Sequence, residues 1–439
     1  MFDVNVKIIS ELKNFIAIVA GNRPLLDKFC NKAGDFTRTR KLPFGTLSLL
    51  IIKLSKKTLS IELEQFFADM KTGMPCSVSA FTQQRLKLHP RFFYYWNRVL
   101  WGSYYLYAGS CVKRWSGYRV IAADGSSVSL VNNPVLRSYF GGQRNQNNSF
   151  ILAQTFYHYD VLNELILVAQ IAPYRYGELN MAYNATADIQ EDMLMVYDRN
   201  FCSYKMVALH VWQEKERKFV IRAKETQNII RSFIQSGESS AIVYLPPTAS
   251  AMVGLRKCGY MINKDSLLKV RLVRVELVKT VEVLMTNLWE EEGYATGRFK
   301  DLYFKRWGIE TNIGIQKNVL QLESFSGLTV HAVLQDFYAT VIMTNLHAVL
   351  IKDAQQTADT ITHRKHPLKV NNNKSFGKLK VNLVALFIDN EVDIILKTLY
   401  DHFIRDLLPV RKGRSYTRVR KSSNSKSKYR TYTNFKPAY

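Results

Sequence analysis

Two apolar runs that each stop at an aspartate constrain this chain more than any other feature. Val120-Ile121-Ala122-Ala123 runs into Asp124, and Met193-Leu194-Met195-Val196-Tyr197 runs into Asp198. Short apolar runs of this kind read as strands. An α/β sheet presents its functional groups at strand ends, so an acid at such an end is a candidate for chemistry. Each acid alone is ordinary, because Asp also opens turns and caps helices. The neighbouring pattern extends the sheet. Phe150 to Asp160 and Leu165 to Ile171 flank a Leu162-Asn163-Glu164 turn and read as a hairpin. Residues 201–214 look helical, and Phe219-Val220-Ile221 reads as a further strand. The expected class is therefore α/β, with helices between the later strands.

The flanks differ in character. Residues 1–110 read as helical: Leu47, Leu50, Ile51 and Leu54 fall at helical spacing, and Leu59 to Met70 forms a second stretch. Gly73-Met74-Pro75 breaks the chain, and Ser77 is placed to cap a helix that exposes Gln83, Gln84, Arg85 and Lys87. Short helices ending in a polar, basic one suit a DNA-reading module, and equally an ordinary bundle with a solvated face. Further on, Ala241 to Leu245, Lys269 to Leu277 and Val281 to Met285 read as strands. The expected division is a helical N-terminal region at 1–110, a core at 111–224, a β-rich insertion at 225–288, a return to the core at 289–352, a helical region at 353–410 and a basic tail at 411–439. That tail holds ten Lys and Arg and no acid, a composition expected to be disordered when free.

Charge narrows the partner. With 61 Lys and Arg against 36 Asp and Glu, the formal net charge is +25, which calls for a polyanion. An apolar content of 47% rules out disorder over the whole chain. The five cysteines are scattered and form no CxxC pair, which argues against a disulfide scaffold and a structural zinc site. No apolar run reaches the roughly 20 residues of a membrane span. Asp3 and Glu11 precede the short apolar stretch Phe15 to Ala20, against a signal peptide. The expectation is a cytoplasmic, nucleoid-associated protein that binds nucleic acid and no membrane. No glycine-rich phosphate loop is present, so ATP dependence is not expected.

A third acid sits in a denser pattern. Tyr303, Arg306, Glu310 and Lys317 are separated by 3, 4 and 7 residues, which places them on one face of a continuous helix. An Arg–Glu pair at this spacing is also a plain helix stabiliser. A carboxylate among cations is equally suited to hold a metal while its neighbours grip phosphates. Phosphodiester attack builds charge on the phosphorus oxygens, and two divalent ions held by carboxylates can activate the attacking oxygen and stabilise the leaving one.

These residues resemble the DDE transposases of bacterial insertion sequences, in the insertion sequence four family. The resemblance rests on Asp124 in IAADGSS, Asp198 in VYDRNF, and the YREK signature at Tyr303, Arg306, Glu310 and Lys317. It extends to LMTNL at 284–288, to Phe36-Thr37-Arg38 through Phe44, and to Ser79-Ala80-Phe81 with Arg85. It implies a ribonuclease-H-like core interrupted by a β-rich insertion in the 112 residues between Asp198 and Glu310. It implies that Asp124, Asp198 and Glu310 are catalytic and hold two Mg²⁺, with Mn²⁺ as a substitute. Tyr303, Arg306 and Lys317 would contact DNA near the cleaved end, with Arg85 as a further DNA contact. Trp289, or Tyr294, would stack a flipped base; packing of the insertion is the alternative for both. The implied activity is cut-and-paste transposition on double-stranded DNA, transposon ends and target alike, through a hairpin and with a homodimer bridging two ends. An inactive DNA-binding relative and a metal nuclease without strand transfer are the alternatives. Glu178, in Tyr176-Gly177-Glu178, is a lesser candidate at the start of a helix, where a solvated acid is commonplace.

Overall fold

The apolar positions of the first hundred residues recur at helical spacing, and the computed structural model forms helices there. It describes residues 1–38, 41–54, 56–72, 76–144, 149–278 and 280–411. The Gly73-Met74-Pro75 break and the basic tail beyond Arg411 lie outside the described residues. The N-terminal helices are α1 (Phe2–Gly21), α2 (Arg23–Asp27), α3 (Phe44–Lys53), α4 (Leu59–Asp69), α5 (Val78–Arg85) and α6 (Arg91–Tyr107). Phe15, Phe29, Phe44 and Phe92 interlock between them, with the Phe44 and Phe92 rings 4.7 Å apart and edge-on. The Ser77 hydroxyl caps α5 by accepting from the Ala80 amide at 3.1 Å.

The centre is a mixed α/β layer. Its elements are β1 (Arg119–Leu130), α7 (Pro134–Phe140), β2 (Gly142–Arg144), β3 (Ser149–Asp160), β4 (Leu165–Pro173), α8 (Glu178–Ala185), β5 (Met193–Tyr197), α9 (Tyr204–Val211) and β6 (Lys218–Arg222). The expected hairpin is β3–β4. β1 runs antiparallel to β3 and parallel to β5, and β5 runs parallel to β6. Then follow α10 (Asn228–Ser236), β7 (Ser240–Leu245), α11 (Ala249–Arg256), β8 (Leu268–Glu276) and β9 (Val281–Thr286). These three strands continue the same sheet through the antiparallel β6–β9 pair. Among the described residues the sheet has nine strands in the order β2-β3-β1-β5-β6-β9-β8-β7, with β4 also on β3.

The remaining elements are α12 (Phe299–Phe304), α13 (Trp307–Asn318), α14 (Val330–Leu350), α15 (Lys352–Thr360), β10 (Leu368–Val370), α16 (Asn372–Ile388), α17 (Val392–Arg405) and β11 (Leu407–Pro409). β10 and β11 form a small antiparallel ribbon inside a stretch expected to be helical throughout. α14 is apolar on nearly all sides and threads the middle of the molecule between α3, α6 and β4. Its buried Asn345 is fully engaged: it accepts from the Ile166 amide at 2.7 Å and donates to Asn97 and to the Ile166 carbonyl. No helix among the described residues is long and apolar enough to cross a membrane.

The structure corrects three expectations. The apolar run at Val120 does not end its strand at Asp124, because pairing with β3 carries β1 on to Leu130. The single helix expected from Tyr303 to Lys317 is two helices. At the joint the amides of Lys305, Arg306, Gly308 and Ile309 each bond to the carbonyl three residues back, a tighter turn than an α-helix. Finally, α5 exposes Gln83 but buries Gln84 and Arg85. Arg85 turns onto α14, where it donates to Gln335 at 2.9 Å and to Asp336 at 3.0 Å. That removes its guanidinium from the surface where a DNA phosphate would meet it.

Candidate active site

Register brings the first two acids together. The last paired residues of β1 and β5 are Ala123 and Tyr197, so Asp124 and Asp198 follow one another's level across adjacent parallel strands. β5 stops there while β1 continues, which leaves Asp124 beside an open sheet position, 21% exposed at its side chain. The functional placement comes from the end of the neighbour strand, not of its own.

The α12–α13 joint supplies the third acid. Arg306 lies in it, and its guanidinium donates to Glu310 at 2.9 Å while standing 3.9 Å from the Asp124 carboxylate. The cation also rests against the Tyr303 and Trp307 rings, at 5.7 and 4.9 Å from their centroids. Tyr303 and Arg306 are 5% and 3% exposed, and among the described residues the Tyr303 hydroxyl and the Arg306 Nε have no hydrogen-bond partner. Unpaired buried donors of this kind are rare and costly.

Glu178 completes the group. Gly177, at φ 74°, turns the chain into α8, of which Glu178 is the first residue. A Cβ on Gly125 would stand 2.8 Å from the Glu178 side chain, so the glycine is what admits the carboxylate beside Asp124. A glycine inside a strand marks close approach of another group, and Asp124-Gly125 carries that signal in the sequence.

The electrostatics follow from this crowding. Burial, then the charge of Glu178, push the Asp124 carboxyl up to about 7; the Gly125 amide and Arg306 oppose the shift, while Glu310 adds to it. Burial likewise raises Glu178, to which Asp198 adds its charge. Burial raises the Tyr303 phenol, with Asp198 acting in the same sense against Arg306.

The other expected residues lie elsewhere or face away. Lys317 turns its ammonium onto β1, donating to the Ser126 hydroxyl and the Ser127 carbonyl, each at 2.7 Å, which fastens α13 to the sheet. Trp289 follows β9, which runs antiparallel to β6, so it sits at the level where β6 begins, the opposite end of the sheet from Asp198. There the Lys269 ammonium covers its ring at 4.7 Å. Tyr294 stacks on Trp115 at 5.8 Å. Trp289 thus packs on the insertion, and Tyr294 on the segment that leads into β1. A cleft of about 350 Å³ that the sequence did not suggest begins at Arg199, the residue after Asp198, and is lined by Arg222, Lys224 and Glu225 as well. Arg222 is paired with Glu282 at 3.0 Å.

The donor chemistry fits a hard divalent cation, because carboxylate oxygens are its usual protein ligands. Asp124 and Glu178 stand together, and Arg306, 3.9 Å from Asp124, is bonded to Glu310. Among the described residues no three acids gather around one point, since Arg306 holds Glu310. Mg²⁺ commonly takes only one or two carboxylates and completes its shell with water and substrate phosphate.

A family model described as the transposase DDE domain matches residues 115–346, a span that contains Asp124, Asp198 and Glu310. The putative transposase InsZ of Escherichia coli strain K12 is 21% identical over 164 residues, 37% of this chain and 54% of that protein. The chain thus spans about half the length of that curated relative. A piggyBac transposase, solved by cryo-electron microscopy as a synaptic complex with hairpin DNA, aligns with a TM-score of 0.40 and 10% identity over 94% of this chain and 84% of its own. Since the family model covers more than half of the sequence, this chain belongs to the transposase DDE domain family.

Proposed function

We propose that the chain is a transposase of the insertion sequence four group, which binds the terminal repeats of its element and cuts and joins DNA at Asp124, Asp198 and Glu310. The observation that carries this reading is the parallel register that sets Asp124 beside Asp198 with Arg306 bridging toward Glu310. The sheet supports a ribonuclease-H-like core: three antiparallel strands, β4-β3-β1, followed by two strands parallel to β1. β7, β8 and β9 are then the insertion of that core.

Asp124 and Asp198, joined by Glu310, would hold the divalent metal, Mg²⁺ or Mn²⁺. When bound, it activates the attacking oxygen and neutralises charge on the leaving one. The chain's own groups then have defined tasks. The free Tyr303 hydroxyl and Arg306 Nε donate to phosphate oxygens of the DNA end. Arg199 and Lys224 line the cleft that carries the strand on past Asp198. Lys317 is a positioning residue that keeps α13, and so Glu310, against β1. Hydrolysis leaves a 3′-hydroxyl, and attack of that hydroxyl on the opposite strand's phosphodiester expels the flanking strand's 3′-oxygen, which leaves as a 3′-hydroxyl, and gives the hairpin. Two copies of the chain bridge two ends.

The test is cleavage of DNA carrying the repeats that flank the gene, with Mg²⁺ supplied. Asp124→Ala, Asp198→Ala and Glu310→Ala are expected to lose about 10³-fold or more in cleavage, as removal of several kcal/mol of transition-state stabilisation implies, while still binding the ends. A Glu310→Ala protein that nicks at the wild-type rate sinks the assignment. Hairpin and joined products separate a transposase from a simple nuclease.

A further inference from the structure

We propose that Glu178 is a fourth carboxylate of the catalytic centre and shares a divalent cation with Asp124. The inference rests on the metal-dependent reading above and extends it to a residue outside the three-acid pattern.

The first support is steric. Gly125 lies in the middle of β1, where a side chain would otherwise be expected, and its missing Cβ is where the Glu178 Cγ and Oε1 now sit, 2.8 Å from that point. The Gly125 amide donates to Asp124 Oδ1 at 2.9 Å, and the same amide favours the charged form of Glu178. The Glu178 charge acts on the Asp124 carboxyl and raises it, so the two acids stand close together. A helix-start acid that served only the helix dipole would point to solvent and need no glycine across from it. Glu178 is instead half-buried against a second carboxylate, with a third, Asp198, close enough to act on it electrostatically.

The second support is independent of the acids. Tyr303 and Arg306 are almost fully buried, yet among the described residues the Tyr303 hydroxyl and the Arg306 Nε find no acceptor. Both belong to the same centre, since Arg306 stands 3.9 Å from Asp124 and Tyr303 senses Asp198. Donors left open beside crowded carboxylates fit a missing anionic group and a missing cation together. A DNA phosphate would satisfy the donors, and a divalent ion would satisfy the acids. Arg306 does not replace that ion, because it is bonded to Glu310 at 2.9 Å. Two carboxylates plus water and phosphate oxygen make a usual Mg²⁺ shell, so Asp124 and Glu178 suffice as its protein side.

The experiment titrates the full chain with Mn²⁺ in the absence of DNA, following free Mn²⁺ by electron paramagnetic resonance. Glu178→Gln keeps the shape and removes the charge; it is expected to weaken Mn²⁺ binding about 10-fold or more. Glu178→Asp keeps the charge on a shorter arm and should weaken binding less, and it carries the test if the first variant melts early. In cleavage assays the Mg²⁺ concentration for half-maximal rate should rise in parallel. Wild-type Mn²⁺ affinity in both variants overturns the proposal. Asp124→Asn in the same titration separates the two ideas. If it loses Mn²⁺ while the Glu178 variants do not, only the fourth carboxylate is wrong. If it too binds Mn²⁺ as wild type, the metal reading of the centre falls.

Discussion

Gly125 shows how a single position joins backbone and site. A Cβ there would meet the Thr155 carbonyl at 2.8 Å as well as Glu178, and a strand carbonyl yields far less than a side-chain end. Gly125→Ala is therefore expected to lower stability by about 1–3 kcal/mol, as overpacking does, and to depress cleavage by displacing Glu178. A thermal melt and a cleavage rate measured together check this; an unchanged rate would show that Glu178 is not needed. Asp124 and Asp198 were legible because an acid that ends an apolar run is conspicuous. Glu178 was not, because a first-turn acid looks the same in sequence whether it faces water or a buried partner. Trp289 misled for the opposite reason: nearness in sequence to the signature says nothing about which end of a sheet a loop occupies.

At the scale of elements, α5 separates two roles that its sequence merged. Arg85 is internal, bonded to Gln335, Ser326 and Asp336 across to α14. Burial alone would raise the Asp336 carboxyl, but Lys56, Arg85 and Ser326 hold it below the usual carboxylate range. Arg85→Ala strands that charge and should cost about 3–5 kcal/mol, read as a loss in melting temperature. Lys87, just past the helix, lines two clefts of about 260 and 390 Å³ together with Arg38 and Lys41. Lys87→Ala should leave the melt unchanged and reduce the salt slope of DNA binding by about 1; an unchanged slope removes this surface from the DNA path. The Ser77 cap in the sequence told that a helix follows it. It did not tell which face is inside, because α5 carries few apolar residues and α14, its partner, lies some 250 residues away in sequence.

The whole molecule is held by α14 and the charges around it. Lys56, Lys380 and Asp336 line a small cavity between the N-terminal helices, α14 and α16, and Lys380 donates to the Leu54 carbonyl at 3.0 Å. Burial first, then Lys56, lowers the Lys380 ammonium to about 8, against the pull of Glu62. A lysine whose folded value lies below its unfolded one sheds its proton earlier when folded. Stability should therefore rise with pH from about 8 to about 10.5, the ordinary value of a lysine in the unfolded chain. Lys380→Met should abolish that rise and lift the melting temperature near neutral pH by roughly 2–4 °C, the effect of about 1 kcal/mol. A melt that stays flat from pH 8 to 10 in the parent chain contradicts the burial of that charge.

The sequence by itself determined the α/β class, the strands that became β1 and β3 to β9, and three acids worth relating, because period and chain-end chemistry are local properties. It also supplied the net charge of +25 that calls for a polyanion. Tertiary structure alone decided which residues share a centre. The parallel register of β1 and β5 set Asp124 beside Asp198. The tight α12–α13 joint put Arg306 between acids, a glycine made room for Glu178, and antiparallel β9 carried Trp289 to the far end. Strand pairing relates residues far apart in the chain, and a shift of one position reverses which face each side chain takes. No local pattern encodes that choice.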